Sequence, residues 1–307
     1  MESAMSTGKA AKLLGRVGQD LAALGVMTDC RAHPVTPMVR LTGASKAFHV
    51  GTVNAVRPLD GVDLEVAPGS FVQIIGANGS GKSTLLNAIA GTFFLDRGRI
   101  ELDGLDVTHV PEYRRARLIG RVFQNPFSGT APNLSIAENF SLAVARGRPR
   151  GLRWALTRTL REELRERVRR LRMGLEDRLD TPMGTLSGGQ RQALTLLMAT
   201  WIRPKLLLLD EHTAALDPKS ADQVIALTDA LVRRDRLTTL MVTHSMQQAV
   251  NLGDRLVMMH KGRVLHDFPA TAKRRLRVDD LLARFEDVRR RELLDESAAE
   301  WLRRSYV

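Results

Sequence analysis

Gly76-Ala77-Asn78-Gly79-Ser80-Gly81-Lys82-Ser83 is the stretch on which the fold turns. It fits the pattern G-x-x-x-x-G-K-[ST]. Phe71-Val72-Gln73-Ile74-Ile75 before it is a short, β-rich apolar run, and Leu85, Leu86, Ala88, Ile89 and Ala90 after it have helical spacing. A strand, a glycine-rich turn and a helix in that order make an anion site. The glycines let the chain curl until its N–H groups point at a phosphate, and the helix N-terminus adds partial positive charge. Lys82 has the reach for β- and γ-phosphates, and the Ser83 hydroxyl suits Mg²⁺. The turn from Gly76 through Thr84 is therefore a candidate nucleotide cradle.

A second element has the matching chemistry. Leu206-Leu207-Leu208-Leu209 is a continuous apolar run that ends in Asp210-Glu211. A buried strand ending in a carboxylate places Asp210 at the sheet edge beside the phosphate turn, where it suits Mg²⁺. Glu211, one residue on, is a candidate to polarise an attacking water. Further short strands are expected at Arg99 to Leu102 before the turn Asp103-Gly104, at Arg121 to Phe123, and at Thr239 to Val242. Fully apolar strands separated by helices predict an α/β chain with a parallel sheet covered on both faces.

Composition sets the outer limits. The 307 residues are 44% hydrophobic and 26% charged, which excludes wholesale disorder. No stretch approaches the ~18 consecutive apolar residues of a membrane span. The one cysteine, Cys30, excludes an intramolecular disulfide framework and suits a reducing compartment. The formal charge is +12, but eleven Arg against three Glu lie between Arg146 and Arg172, so most of the excess is local. A helix is predicted there, over 152–173, with Leu156, Leu160, Leu164, Val168 and Leu171 on one face and arginines over the rest. Such a face is either solvated or set against anionic headgroups or an acidic partner helix. Residues 1–37 read as an N-terminal extension, with Leu13, Leu14, Val17, Leu21 and Leu24 at amphipathic-helix spacing and Pro34 and Pro37 at its end. Residues 269–307 read as a C-terminal helical extension, strongly charged from Val278 to Arg304.

Leu186-Ser187-Gly188-Gly189-Gln190, followed by Arg191-Gln192, lies 20 residues before the Leu206 strand. With this string the sequence resembles the ATP-binding cassette ATPases over residues 38–268. The resemblance implies a P-loop NTPase with a RecA-like core, an antiparallel β portion and an inserted helical subdomain at about 125–190. It implies ATP and Mg²⁺ as cofactors. Gln124 resembles the Q-loop glutamine that touches Mg²⁺ and the attacking water, His244 the switch histidine that contacts the γ-phosphate, and Asp217 the end of a D-loop, Ala214-Ala215-Leu216-Asp217, at a dimer interface. Phe48, 28 residues before Gly76, resembles the aromatic that stacks on adenine. Ser187, Gly188, Gly189 and Gln190 would meet the γ-phosphate held by a second copy, in a head-to-tail homodimer.

The common pattern after the catalytic glutamate is Pro-Thr-Ser. Here it is His212-Thr213-Ala214, which keeps the carboxylates and removes a rigid turn. Phe48 to Asn54, Arg121 to Pro126, Gly129 to Asn133 and Asp210 to Pro218 are together similar to the ATP-binding subunits of bacterial tryptophan/tyrosine-type importers. Such subunits work at the cytoplasmic face of the inner membrane, with transmembrane permease subunits and an extracytoplasmic solute-binding protein, and without nucleic acid. Gln124 and Phe127 would then border the groove for the permease. The alternative is a soluble cassette ATPase acting on nucleic acid or ribosomes. The charge favours it; a single phosphate loop, a single signature and the lack of sustained heptads do not.

Overall fold

A computed structural model describes residues 36–147 and 156–290. The amphipathic segment expected around Leu13 to Leu24, residues 152–155 of the basic helix, and the end of the C-terminal helix lie outside the described residues. In chain order the elements are β1 (Val39–Phe48), β2 (Val56–Val66), β3 (Phe71–Ile75), α1 (Lys82–Ala90), β4 (Arg97–Leu102), β5 (Leu105–Asp106), α2 (Glu112–Arg115) and β6 (Ile119–Val122). Then come α3 (Ile136–Val144), α4 (Arg158–Arg169), a 3₁₀ turn (Met183–Thr185), α5 (Gly188–Trp201), β7 (Leu206–Asp210) and α6 (Pro218–Asp235). The chain continues through β8 (Thr238–Val242), α7 (Met246–Asn251), β9 (Arg255–His260), β10 (Arg263–Phe268) and α8 (Ala270–Lys273), and residues 278–290 are helical.

Two sheets form. The smaller has the order β2-β1-β4-β5 and is antiparallel throughout. Its β4–β5 hairpin turns on Asp103 (φ 51°) and Gly104 (φ 76°), the two positive φ values of a type I′ turn. The larger has the order β10-β9-β3-β8-β7-β6 and is parallel except for its β10 edge. The strand that feeds the phosphate turn, β3, therefore lies inside the sheet, between β9 and β8.

Parallel strands covered on both faces read as unbroken apolar runs, and β3, β8 and the leucines of β7 are buried from end to end. Period-2 geometry splits them. Leu206 and Leu208 join Val72, Ile74, Leu85 and Ile89 in a core shared with α1 and the antiparallel sheet; Leu207 and Leu209 join Leu196, Leu231 and Met241 on the opposite face.

The segment between β6 and β7 builds its own core from Ile136, Phe140, Leu164, Val168, Leu175 and Leu179 with Leu194 and Trp201 of α5, so its packing runs past the 190 boundary read from the sequence. α3 starts on a capping box, Ser135 with Glu138, and α4 on Thr157, whose side chain accepts from the Leu160 N–H. Each arginine of α4 faces an acid: Arg158 with Glu162, Arg161 with Asp180, Arg165 with Asp177, Arg167 with Glu163 and Arg169 with Glu166. Such exposed pairs add little stability, but they cancel much of the positive field that the local arginine count suggests.

Two buried cations close helix ends. Arg115 donates to the carbonyls of Ala88, Ile89 and Val110, at 2.7–2.8 Å, and so caps the C-terminus of α1. Burial pushes its guanidinium down to about 10. Lys273 donates to the carbonyls of Leu252 and Gly253 at the end of α7, and burial pushes its ammonium down to about 8. No described helix is long and apolar enough to cross a membrane.

Candidate nucleotide site

The phosphate turn is shaped by close approach. Gly81 is the N-cap of α1 with φ 100°, and a Cβ placed there would lie 2.0 Å from the Pro58 carbonyl oxygen. At Gly76 a Cβ would lie 2.3 Å from the Met259 carbonyl oxygen and 2.5 Å from Ser80 Oγ. These two glycines are required by space as well as by conformation. The curled backbone turns Lys82 back over its own loop, where Nζ donates to the carbonyls of Gly76 (2.8 Å) and Ala77 (3.0 Å). Burial lowers the Lys82 pKa, and the nearby Glu211 and Asp210 oppose that shift.

β7 delivers the carboxylates. Ser83 Oγ donates to Asp210 Oδ1 at 3.0 Å, so hydroxyl and carboxylate converge from elements 127 residues apart in sequence. Glu211, next in the chain, has a left-handed backbone (φ 44°) and donates its N–H to the Val242 carbonyl at 3.1 Å. Its Oε1 lies 2.5 Å from His244 Nε2 at the end of β8. A cleft of about 400 Å³ opens over these groups. Asn78, Gly79, Gly81, Lys82, Ser83, Thr84, Gln124, Glu211 and His244 line it, together with Pro58.

The other expected residues stand elsewhere. Gly76, Ala77 and Ser80 form the floor of the turn, and Asp210 reaches it through Ser83. Phe48, at the end of β1, packs edge-on against Phe93 with ring centroids 5.3 Å apart and does not line the cleft. Ser187 caps α5 in a capping box with Gln190 and is exposed, away from the cleft of its own chain. Gly188 and Gly189 face the next segment closely: a Cβ on Gly188 would lie 3.0 Å from Leu216 Cδ2, and one on Gly189 2.7 Å from Ser220 Cβ. Asp217 caps α6 by accepting the Ser220 N–H at 3.0 Å. One chain thus holds a phosphate cradle, a metal-suited pair and a carboxylate–histidine pair in one cleft, and presents its second glycine-rich helix start on another surface.

Some participants carry no sequence signal. Pro58 comes from β2, and only the sheet contact brings its carbonyl against Gly81. Arg191, the residue after the signature, ties down the turn before its own helix by donating to the carbonyls of Met183, Gly184 and Leu186, and its guanidinium lies 3.7 Å from the centroid of the Phe127 ring. A lone arginine in a helix would not be assigned that role from spacing.

The donor set fits a hard cation bound beside a polyphosphate. One carboxylate, Asp210, and one hydroxyl, Ser83, with Gln124 on the same cleft, suit Mg²⁺, which retains several waters and takes few protein ligands.

Known proteins resemble this chain in sequence and in fold. The ABC transporter family profile matches residues 59–214. The chain is 43% identical over 251 residues to a tyrosine transport ATP-binding protein of Clostridioides difficile, covering 81% of this chain and 99% of that protein. It is 37% identical over 272 residues to an aliphatic sulfonates import ATP-binding protein of Burkholderia lata, covering 85% of this chain and 75% of that one. Among solved structures, a dimeric ATP-binding cassette in a post-hydrolysis state, bound to ADP and Pi, superposes with a TM-score of 0.66 at 28% identity, covering 76% of this chain and 99% of that one. The chain belongs to the ABC transporter family and is an ATP-binding cassette ATPase.

Proposed function

We propose that this chain is the ATP-hydrolysing subunit of an importer for a small solute such as an amino acid, working on separate transmembrane permease subunits. The observation that carries this reading is the convergence of Lys82, the Ser83–Asp210 pair and the Glu211–His244 pair in one cleft. The solute class follows the likeness to the tyrosine transport protein, which extends over nearly that protein's whole length.

In this reading Gly76 through Thr84 wrap the phosphates with backbone N–H groups, and Lys82 exchanges its carbonyl contacts for the β- and γ-phosphates. Ser83, Asp210 and Gln124 would hold Mg²⁺, which would supply positive charge beside the phosphates. Glu211 takes a proton from the attacking water, and His244 orients that carboxylate and contacts the γ-phosphate. Phe48 supplies a face for adenine. Ser187 to Gln190 and Asp217 complete the site of a second copy, since they stand off the cleft of their own chain and a helix N-terminus attracts phosphate. The homodimer closes on ATP and opens after hydrolysis. The chain sits as a peripheral subunit on the cytoplasmic face of the inner membrane, with a solute-binding protein on the far side. The exposed rings of Phe127 and Tyr113 suit the contact with the permease.

The test is light scattering of the purified chain. Glu211→Gln should dimerise with Mg-ATP and stay monomeric with ADP, and adding Ser187→Arg should prevent the dimer. Hydrolysis by Glu211→Gln at the wild-type rate would reject Glu211 as base. For the solute class, cells lacking the chain should lose uptake of at least one labelled amino acid; unchanged uptake across all of them would reject it.

A further inference from the structure

We infer that His212 is a positioning residue for Glu211: its ring, hydrogen-bonded to Thr228 on α6, holds Glu211 in the left-handed conformation that sets its carboxylate against His244. The inference rests on the reading of Glu211 as the catalytic base.

The Glu211 φ of 44° is unfavourable for an L-residue with a long side chain, and it persists only where the surroundings over-determine it. On the upstream side the restraint is plain, because the Glu211 N–H continues the β7–β8 ladder onto the Val242 carbonyl. On the downstream side the Glu211 carbonyl accepts the Ala214 N–H at 2.9 Å, which closes a short turn but fixes no element beyond it. The tie to a larger element is His212.

His212 is buried, and its Nε2 lies 3.0 Å from Thr228 Oγ1. The direction of that bond follows from the threonine. Thr228 Oγ1 donates its one proton to the Val224 carbonyl at 2.8 Å, so towards the imidazole it can only accept. His212 is therefore protonated on Nε2, and the buried Nδ1, which has no partner, is the lone-pair nitrogen. The ring is neutral and bolted to the middle of an 18-residue helix. The peptide between Glu211 and His212 is thus held at one end by β8 and at the other by α6.

This accounts for the departure at 212. A proline there would stiffen the turn through its own ring, but it would also drive the preceding residue towards extended backbone. Histidine leaves Glu211 free to be left-handed and supplies the missing stiffness by a side-chain hydrogen bond. Sequence position and backbone conformation are matched.

The experiment measures Mg-ATP hydrolysis by the full chain carrying Thr228→Val, Thr228→Ser or Glu211→Gln. Thr228→Val should lower kcat about tenfold, the rate equivalent of releasing one left-handed residue, and leave KM for ATP within about twofold. Thr228→Ser keeps the hydroxyl and should return kcat to within about twofold of wild type. In parallel, nitrogen NMR of histidine-labelled protein should show that the ring signal lost in His212→Gln is that of a neutral, Nε2-protonated imidazole. Wild-type kcat in Thr228→Val, even with a lowered melting temperature, would overturn the inference, as would an Nδ1-protonated ring at His212. Wild-type turnover in Glu211→Gln would overturn the base assignment and this inference together; an inactive Glu211→Gln beside a fully active Thr228→Val would remove the positioning role alone.

Discussion

Arg115→Met should destabilise the fold without touching the nucleotide site. The side chain is fully buried, and its guanidinium satisfies the carbonyls of Ala88, Ile89 and Val110, with Thr108 more distant at 3.4 Å. Methionine follows the arginine stem about as far as Nε, lacks the rest of the guanidinium and donates nothing. The Ala88 carbonyl keeps the Gly91 N–H at 3.2 Å, whereas the Ile89 and Val110 carbonyls lose their donor, and each buried carbonyl left without a partner costs about 1–3 kcal/mol. Part of the loss is offset because a cation that burial has pushed down to about 10 no longer has to be desolvated. A net loss of about 2–5 kcal/mol remains. At roughly 2 °C per kcal/mol for a chain of this size, the melting temperature should fall by about 4–10 °C. Differential scanning calorimetry measures it directly. Arg115→Lys should fall between, since one ammonium cannot reach all three carbonyls in a planar fork. Nucleotide affinity measured well below the transition should stay within about threefold, because the candidate phosphate cradle lies at the opposite end of α1. A melting temperature for Arg115→Met within about 1 °C of wild type would refute the capping argument.

Gly189→Ala puts a methyl 2.7 Å from Ser220 Cβ and should force α5 away from α6. In the Glu211→Gln background, the ATP-dependent dimer should weaken by about tenfold or more, read by light scattering over a concentration series, with monomer nucleotide affinity unchanged. Lys273 makes stability pH-dependent in a defined direction. With a folded pKa of about 8 against the ordinary 10.5, the unfolded chain binds a proton between those values that the folded chain does not, so wild-type stability should rise with pH across that window relative to Lys273→Met. Urea midpoints of the two proteins at each pH give the difference, and a flat difference would contradict it.

What could be read in the sequence is what neighbouring residues decide together. Phe71 to Ile75, the glycine turn and the helix after it form one local unit, and Leu206 to Glu211 another; in both, the buried strand ends where the polar residues begin. The alternation within β7 was hidden, because a strand covered on both faces has no polar side to mark it. The excess of arginine near α4 read as a face either solvated or set against an anionic partner, and two of its acid partners could not be matched to it, since Asp177 and Asp180 come from the loop after the helix. The partners of His212 and Arg115 were beyond reach for the same reason. Thr228 and the carbonyls of Ala88 and Ile89 are ordinary residues until tertiary packing brings them near.

The interior position of β3 also sets a timetable for biosynthesis. Both of its partners are made late: Val72 pairs with Leu240 on one side, and Ile75 with Met258 on the other. At about 5–20 residues per second, the strand that carries the phosphate turn leaves the ribosome roughly 10–40 s before its second neighbour has been polymerised. For most of that interval a strand with four apolar residues in five exposes two unpaired backbone edges, a template for association with other nascent chains. No amount of local helix formation shortens the wait, because the missing contacts are non-local. The candidate phosphate site is begun early in translation and finished almost last, and a chaperone that shields Phe71 to Ile75 on the nascent chain would act at the step most exposed to aggregation.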